Sequence, residues 1–521
     1  MAAQKRHRYL NLRLNTQYLG SVKKLAGQTL WYGVPTIASR FLGYLLSIFL
    51  FRWYGPTSTA DITQVYALIP FLNILFTYGL ETAYFRFAQV NSDTKTLYNT
   101  LSWSLLLSSV LFSAVLILFT NDLARATSLG GKPEYFRWMV YILFFDTLSV
   151  LPFAKLRQTE RPRKYALIKV LNVVISILIV LYYLRFCPLQ FGKDPQSPWL
   201  WFYDPNIGIG YYIIANGVAS VVTFLMLFAE WKSLQLGFDA RLWKRVMIYA
   251  YPLLIVGLGG MINEMLSRLV YSQILQLPEL EEKRQLGIFG ASYKVAVLIT
   301  MFIQVFKMAA EPFFFKQSTE AGAPRTYARV TKFFVIACCF MWLGIVFNLP
   351  WIAKLAYGKN YADYAEGTSI IPILAMGSVF LGVYYNLSVW YKLTNHNWTG
   401  AWITIAGAVV TVVLNIWWIP IFGYNGSAWA TCICYLFMMI VSYVLGQKHY
   451  PVPYAWKKLT AYVVIAVLLY GTQQLLAAYV TQNIALLTVV GVALFTGYAL
   501  FIGRIEKREL AGLPFIGRWL K

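Results

Sequence analysis

Residues 98–120 read YNTLSWSLLLSSVLFSAVLILFT, twenty-three consecutive positions without a charged side chain. As a helix they rise about 34 Å, enough to cross a hydrocarbon core of roughly 30 Å. Strands of a membrane barrel alternate over about ten positions, whereas this run is continuous and longer. Working outward finds comparable runs at 27–51, 62–85, 135–154, 165–186, 206–229, 246–271, 287–314, 328–350, 367–390, 398–419, 424–446, 459–479 and 483–503. The expected fold class is therefore an all-α polytopic membrane protein with about fourteen transmembrane helices. Composition agrees. Of 521 residues 59% are hydrophobic and 13% charged, against about 25% charged in a soluble protein. A soluble chain with several cores lacks the polar surface it needs here, and no low-complexity tract supports disorder.

The formal charge is +24, from 45 Lys and Arg against 21 Asp and Glu. Such a balance first suggests nucleic acid. The basic residues fall in short clusters between apolar runs, however, so they report topology instead. With the N-terminus inside, the inner segments carry thirty Lys and Arg and the outer loops nine. This bias predicts both termini in the cytoplasm and contact with an anionic inner leaflet, with no nucleic-acid partner. The head 1–26 is basic and amphipathic (Lys5, Arg6, Arg8, Arg13, Lys23, Lys24), and the run after it is of full spanning length, so no cleavable signal is expected. Leu10–Leu25 and the tail segment Leu510–Leu520 read as interfacial helices.

Motifs that would carry covalent chemistry are missing from the sequence. Cys338, Cys339, Cys432 and Cys434 lie within spans, and Cys187 is alone near the outer face. His7, His396 and His449 are scattered over loops, so no metal centre is expected. There is no phosphate-cradling glycine loop and no nucleophile elbow. The longest outer loop, Cys187–Asn206, is Pro-rich with few charges. A membrane glycan polymerase or ligase needs a catalytic constellation on such a loop, so the chain is not expected to be an enzyme.

An internal repeat organises the spans. Glu81-Thr-Ala-Tyr-Phe85-Arg86 closes the second run and Glu311-Pro-Phe-Phe-Phe315-Lys316 the eighth, at an offset of 230 residues. Pro35 in the first run matches Pro252 in the seventh at an offset of 217. Six spans are carried onto six in the same direction, a parallel repeat about an axis along the membrane normal. The expected domains are the head 1–26, an N-lobe over 27–230, a C-lobe over 244–446, a helical hairpin over 456–503 and a basic tail over 504–521. Two bundles around a central cavity is a transporter arrangement.

Charges inside spans are costly, about 2.5–3.5 kcal/mol for Arg or Lys at the bilayer centre, and normally face a bundle interior. Arg40 shares one helical face with Thr36, Gly43, Tyr44 and Ser47, which suits a cavity wall. Asn263, Glu264, Ser267 and Arg268 fall within one and a half turns, and Glu264 and Arg268, four apart, can neutralise each other. Lys307 and Glu311 are likewise four apart, beyond Gln304. Lys294 lacks a local partner and lies at the depth of Arg268 in the preceding antiparallel helix, so the two are expected to meet. Asp146 is an acid among Phe, Tyr and Leu, readable as an ion-coupling site, a neutral acid or the partner of a base. Lys169, near the cytoplasmic face, is expected to snorkel. The positive excess favours an anionic substrate, phosphate or pyrophosphate above all. Candidate substrate-binding residues are thus Arg40, Arg268, Lys294, Asn263 and Gln304. Candidate coupling or charge-pairing residues are Asp146, Glu264, Lys307 and Glu311.

The stretches Tyr251-Pro252-Leu253-Leu254, Ile262-Asn263-Glu264, Ser267-Arg268-Leu269, Gly287–Ala296 and Phe302-Ile303-Gln304-Val305-Phe306 with Glu311-Pro312-Phe313 resemble the polysaccharide transport family. So do Tyr54-Gly55-Pro56 and Tyr78-Gly79-Leu80-Glu81. These are the O-antigen and capsule flippases of the multidrug/oligosaccharidyl-lipid/polysaccharide exporter superfamily. The resemblance is diffuse over the first twelve spans and strongest over 250–316. It implies two six-helix lobes similar to those of multidrug (MATE) exporters, a V-shaped cavity, alternating access and turnover of an undecaprenyl-pyrophosphate-linked glycan across a bacterial cytoplasmic membrane. Many relatives carry Asp just before the Arg of the seventh span, where this chain has Ser267, a role that Glu264 is placed to take. Fourteen spans rather than twelve are similar to the lipid II flippases.

The expected function is translocation of a polyprenyl-pyrophosphate-linked oligosaccharide for surface polysaccharide assembly, alongside other assembly proteins. No cofactor is expected beyond coupling to H+ or Na+. The alternatives are a lipid II flippase and a cation-coupled multidrug exporter, the latter disfavoured because cationic drugs call for an acidic cavity.

Overall fold

The computed structural model describes Ala38 and residues 41–510, apart from 91–92, 128, 130, 233, 236, 276, 319–321 and 395. The amphipathic head, Arg40, the tail beyond 510 and the side chain of Glu311 lie outside the described residues. Within them the chain is helical, without a strand. Thirteen helices are long and apolar enough to cross a membrane, and each answers one expected span. The remaining span, the first, is represented by its described end, α1 (Phe41–Trp53). The others are α2 (Pro56–Ala88), α3 (Thr94–Leu118), α4 (Pro133–Gln158), α5 (Pro162–Phe191), α6 (Pro205–Met226) and α7 (Ala240–Leu269). They continue with α8 (Glu279–Gln317), α9 (Ala323–Phe347), α10 (Leu349–Leu393), α11 (Asn397–Phe422), α12 (Tyr424–His449), α13 (Trp456–Tyr479) and α14 (Ile484–Ile505). The chain is a multi-pass membrane protein.

Local chemistry sets the helix starts. Pro133 and Pro162 occupy first-turn positions, where the missing N–H costs nothing. Asp93 caps α3 by accepting the Thr96 N–H at 3.0 Å, and Asn483 caps α14 through the N–H groups of Ala485 and Leu486. Along α11, Trp402, Val409, Val413, Ile416 and Trp417 recur at helical spacing and remain exposed. In hydrocarbon an apolar face of this kind needs no cover.

The chain divides into two compact units, one formed by 1–47 and 61–261 and the other by 48–60 and 262–521. The division falls inside α7, beyond the 231–243 connection between the sequence repeats. In the first unit a buried cluster joins Tyr84 of α2, Tyr98 and Leu101 of α3, Leu151 of α4 and Val246 of α7. The helix α2 breaks at Tyr78–Gly79, where both residues take positive φ (34° and 74°). A Cβ on Gly79 would stand 3.1 Å from Cβ of Leu253. The Tyr78-Gly79-Leu80-Glu81 stretch thus marks a left-handed break pressed against α7, which glycine alone fits without strain.

In the second unit the main core runs through α8, α9 and α10 and takes in Tyr462 and Ala466 of α13 and Tyr498 and Ile502 of α14. An ion cluster fastens the terminal hairpin. Glu506, 2% exposed, accepts from Lys332 of α9 at 2.6 Å and from the Tyr462 hydroxyl at 2.6 Å, with Lys458 at 3.5 Å. Lys332 also holds Glu509 at 2.6 Å. Burial pushes the Glu506 carboxyl up, but Lys332, Tyr462 and Lys458 together outweigh it and hold the group below the usual carboxylate range.

Two outcomes follow for the purified protein in detergent. Gly79→Ala is expected to destabilise the first unit by about 1–3 kcal/mol through backbone strain, read as a lower melting temperature. A depressed folded-state pKa stabilises the protein above the unfolded value of about 4.3 and loses that contribution as pH falls further. Wild-type melting temperature should therefore drop between about pH 5 and 3, whereas Glu506→Gln should melt lower at neutral pH and show a weaker acid dependence. An unchanged profile in Glu506→Gln would remove the cluster as a source of stability.

Candidate functional site

Polar residues of the second unit converge from four helices. On α8, Tyr293, Thr300 and Gln304 lie seven and four residues apart, hence on one face. Ser378 and Tyr385 of α10 repeat the seven-residue spacing, and Thr431 and Tyr435 of α12 stand four apart. With Glu264 of α7 these residues line one cavity, closed by apolar side chains including Leu374 and Leu381. Its free volume is about 20 Å³, room for about one water molecule.

Beside this cavity lies Arg268, 6% exposed. Its guanidinium carbon stands 4.1 Å from the centroid of the Tyr293 ring. Nη2 donates to the main-chain oxygen of Glu264 at 3.0 Å and lies 2.9 Å from Sδ of Met265. Nε has no hydrogen-bond partner among the described residues. The expected pairing of Glu264 with Arg268 thus takes a different form. The guanidinium reaches back to the Glu264 carbonyl, and the carboxylate lies within hydrogen-bonding reach of the Tyr293 hydroxyl. Lys294 interacts electrostatically with both Arg268 and Glu264, so the two bases do share one neighbourhood. The group brings one guanidinium and one lysine side chain together with one carboxyl group. The cavity lining itself includes Glu264, Tyr293 and Gln304, while Arg268 and Lys294 are not part of it.

Asn263 is placed elsewhere. It is 3% exposed, its amide donates to the Thr404 carbonyl at 3.2 Å, and its carbonyl accepts from the Thr411 hydroxyl at 3.2 Å. These bonds tie α7 to α11. Lys307 rests 4.1 Å from the Tyr385 ring centroid and lines a smaller pocket with Asn386 and Lys392. Its expected partner Glu311 lies outside the described side chains, as Arg40 lies outside the described residues.

In the first unit Asp146 is exposed on α4, with Ser220 of α6 in hydrogen-bonding reach and Lys169 of α5 near enough to interact. Lys169 lies 4.2 Å from the centroid of Phe153. Tyr66 of α2 also feels the Asp146 charge and accepts a hydrogen bond from Asn216.

Several residues escaped the sequence reading. The tyrosines 293, 385 and 435 carry no charge to mark them, although the seven- and four-residue spacing was available as a signal. Gln64 is 1% exposed, and neither amide atom has a partner among the described residues. His396 and His449, distant in sequence, bring their rings to 5.2 Å beside Trp390. No local pattern announces either feature.

Comparison with known proteins adds family and fold. The polysaccharide biosynthesis protein family matches residues 25–318, more than half of the chain. No curated protein matches. Among solved structures, a lipid II flippase, MurJ, in an inward closed conformation is similar with a TM-score of 0.70 and 12% identity, covering 91% of this chain and 98% of that one. An inward-facing multidrug-resistance MATE transporter of the MOP superfamily gives 0.63 and 14%, covering 78% and 93%. A MOP-superfamily transporter from Pyrococcus furiosus, described as having a binding pocket of reverse polarity that suggests a different function, gives 0.56 and 15%, covering 81% and 95%. At these identities the likeness establishes the fold. Spanning helices, fold and sequence match agree: the chain belongs to the polysaccharide biosynthesis family and has the fold of the MOP-superfamily transporters.

Proposed function

We propose that the chain is a flippase. It carries a polyprenyl-pyrophosphate-linked oligosaccharide from the cytoplasmic to the outer leaflet of a bacterial cytoplasmic membrane, by alternating access, for surface polysaccharide assembly. One observation carries the reading: the buried Arg268, held on the face of Tyr293 with an unfilled Nε donor and Lys294 as a second nearby cation. A buried donor without a partner costs about 1–3 kcal/mol. A phosphate oxygen removes that cost and adds a charge-assisted bond. A ring face holds a guanidinium in place without cancelling its charge, so the positive excess stays available to an anion. Glu264 orients the group through Tyr293, and Gln304 offers an amide from the cavity wall.

The lipid portion has a matching surface in the same unit. A cavity of about 470 Å³ between α9, α10, α12 and α13 is lined by Val335, Val379, Val383, Ile440, Leu459 and Val463 among others. Such a mostly apolar lining, with Thr331, Tyr443, Tyr454 and Thr460 as its hydroxyl-bearing members, suits part of a polyprenyl chain. Asp146, beside Ser220 and Lys169, is the proposed coupling site for H+ or Na+.

The deciding experiment is protein-dependent translocation of a fluorescent polyprenyl-pyrophosphate oligosaccharide in reconstituted vesicles, with lipid II as a parallel cargo. Arg268→Ala and Lys294→Ala are expected to lose about tenfold or more in rate, from a charge-assisted bond of about 1.5–3 kcal/mol, while retaining their melting temperature. Full rates in both variants would sink the site. Transport of lipid II alone would reassign the cargo. Asp146→Asn should abolish the response to an imposed Na+ or H+ gradient. Orientation is tested by cysteine labelling. The five native thiols are buried, so an impermeant maleimide added to intact cells should label Lys193→Cys and leave Lys457→Cys unmodified.

A further inference from the structure

A second polar cavity lies in the first unit, apart from every residue of the candidate site. Its volume is about 320 Å³, and it is lined by Tyr84, Thr94, Lys95, Tyr98, Asn99, Lys155, Gln158 and Thr159. No aliphatic side chain is among them, in a chain that is 59% hydrophobic. The lining comes from the end of α2, the first two turns of α3 and the end of α4. It therefore sits where spanning helices leave the hydrocarbon, at the depth of lipid headgroups.

The chemistry of the lining is one-sided. Lys95 and Lys155 supply two ammonium groups. Lys155 Nζ lies 4.2 Å from the Tyr98 ring centroid and 3.6 Å from Glu230. That carboxylate is shared, with Arg161 at 3.6 Å and Lys164 at 3.2 Å, so three cations meet one anion. Other acids nearby are engaged: Glu81 pairs with Arg157, Asp93 accepts from both the backbone and the hydroxyl of Thr96, and Glu160, next to Thr159, also has an interaction of its own. Asn99 is 6% exposed, and its carbonyl accepts the Gln235 N–H at 3.5 Å, which leaves the amide donors toward the cavity. The Gln158 carbonyl is taken by the Tyr84 hydroxyl, again leaving an amide as donor.

We propose that this cavity is a binding site for a phosphate ester, taken up at headgroup depth by Lys95, Lys155, Asn99 and Gln158. Two ammonium groups and two amide donors around one volume match a tetrahedral anion with several acceptor oxygens. An uncharged sugar would leave the surplus charge unanswered, and a cation would add to it. The proposal stands on the first unit alone and does not depend on the translocation reading. The phosphate belongs either to a lipid headgroup or to a soluble phosphate compound.

Calorimetric titration of purified protein in neutral detergent at low salt distinguishes these. One arm uses inorganic pyrophosphate, and the other a short-chain phosphatidate below its micelle concentration. Saturable binding in either arm is expected, weakening as salt is raised. Binding of phosphatidate alone identifies a headgroup site, and binding of pyrophosphate a soluble ligand. Lys95→Glu, a change at an exposed position, and Asn99→Leu should each weaken binding about tenfold or more. Lys193→Glu in the outer loop should leave it unchanged. Melting curves confirm the fold of each variant, and if Asn99→Leu fails to fold the exposed Lys95→Glu decides alone. No saturable binding in either arm, or wild-type affinity in Lys95→Glu, overturns the site.

Discussion

A charge placed inside a spanning helix cannot be left to solvent, and this single constraint shapes most of what the chain does with its polar residues. Two solutions appear in the second unit. The Glu506 cluster is saturated, with Lys332, Lys458 and the Tyr462 hydroxyl converging on one carboxylate and Glu509 completing Lys332. Every charge is matched, so the cluster acts as a fastener for α13 and α14 on α9. Arg268 is solved by other means. A ring, a carbonyl and a thioether hold it, and none of them neutralises it. A saturated cluster has nothing left to offer a ligand, whereas a supported but uncancelled guanidinium does.

Much of this architecture was legible because the bilayer imposes it. Without water in the hydrocarbon, backbone groups must pair within the segment, so each continuous apolar run had to become a helix. The runs at 135–154 and 328–350, for example, became Pro133–Gln158 and Ala323–Phe347. Helix ends were less legible, since they depend on caps such as Asn483 and on breaks such as Tyr78–Gly79 that composition does not record.

The candidate site was legible only where charge marked it. Glu264, Arg268 and Lys294 stood out by cost, and they share one neighbourhood. Asn263 stood out equally, yet its amide is spent on Thr404 and Thr411 in helix packing. Polarity within a span identifies a residue that needs a partner. It does not say whether that partner is another helix or a ligand. The tyrosines show the converse. Tyr293 is counted as apolar in composition, and it carries both the cation and the carboxylate of the site through its ring and its hydroxyl.

The departure at Ser267 follows from the same geometry. The family resemblance implies an acid directly before the arginine in many members, a position which here is buried and bears only a hydroxyl. Glu264 lies three residues from Ser267, less than one helical turn, so the two share a side of α7 within about 60° and differ in depth by about 4.5 Å. Moved to 264, the carboxylate reaches the cavity with Tyr293, Gln304 and Tyr435, while the arginine lies over the Tyr293 ring outside the lining. An acid at 267 would stand next to the guanidinium in sequence, about 100° around the helix from it. At 264 the acid reaches the hydroxyl of the ring whose face carries the guanidinium. The two groups thus meet through one aromatic side chain, and in the proposed reading the guanidinium keeps its charge for an anionic ligand.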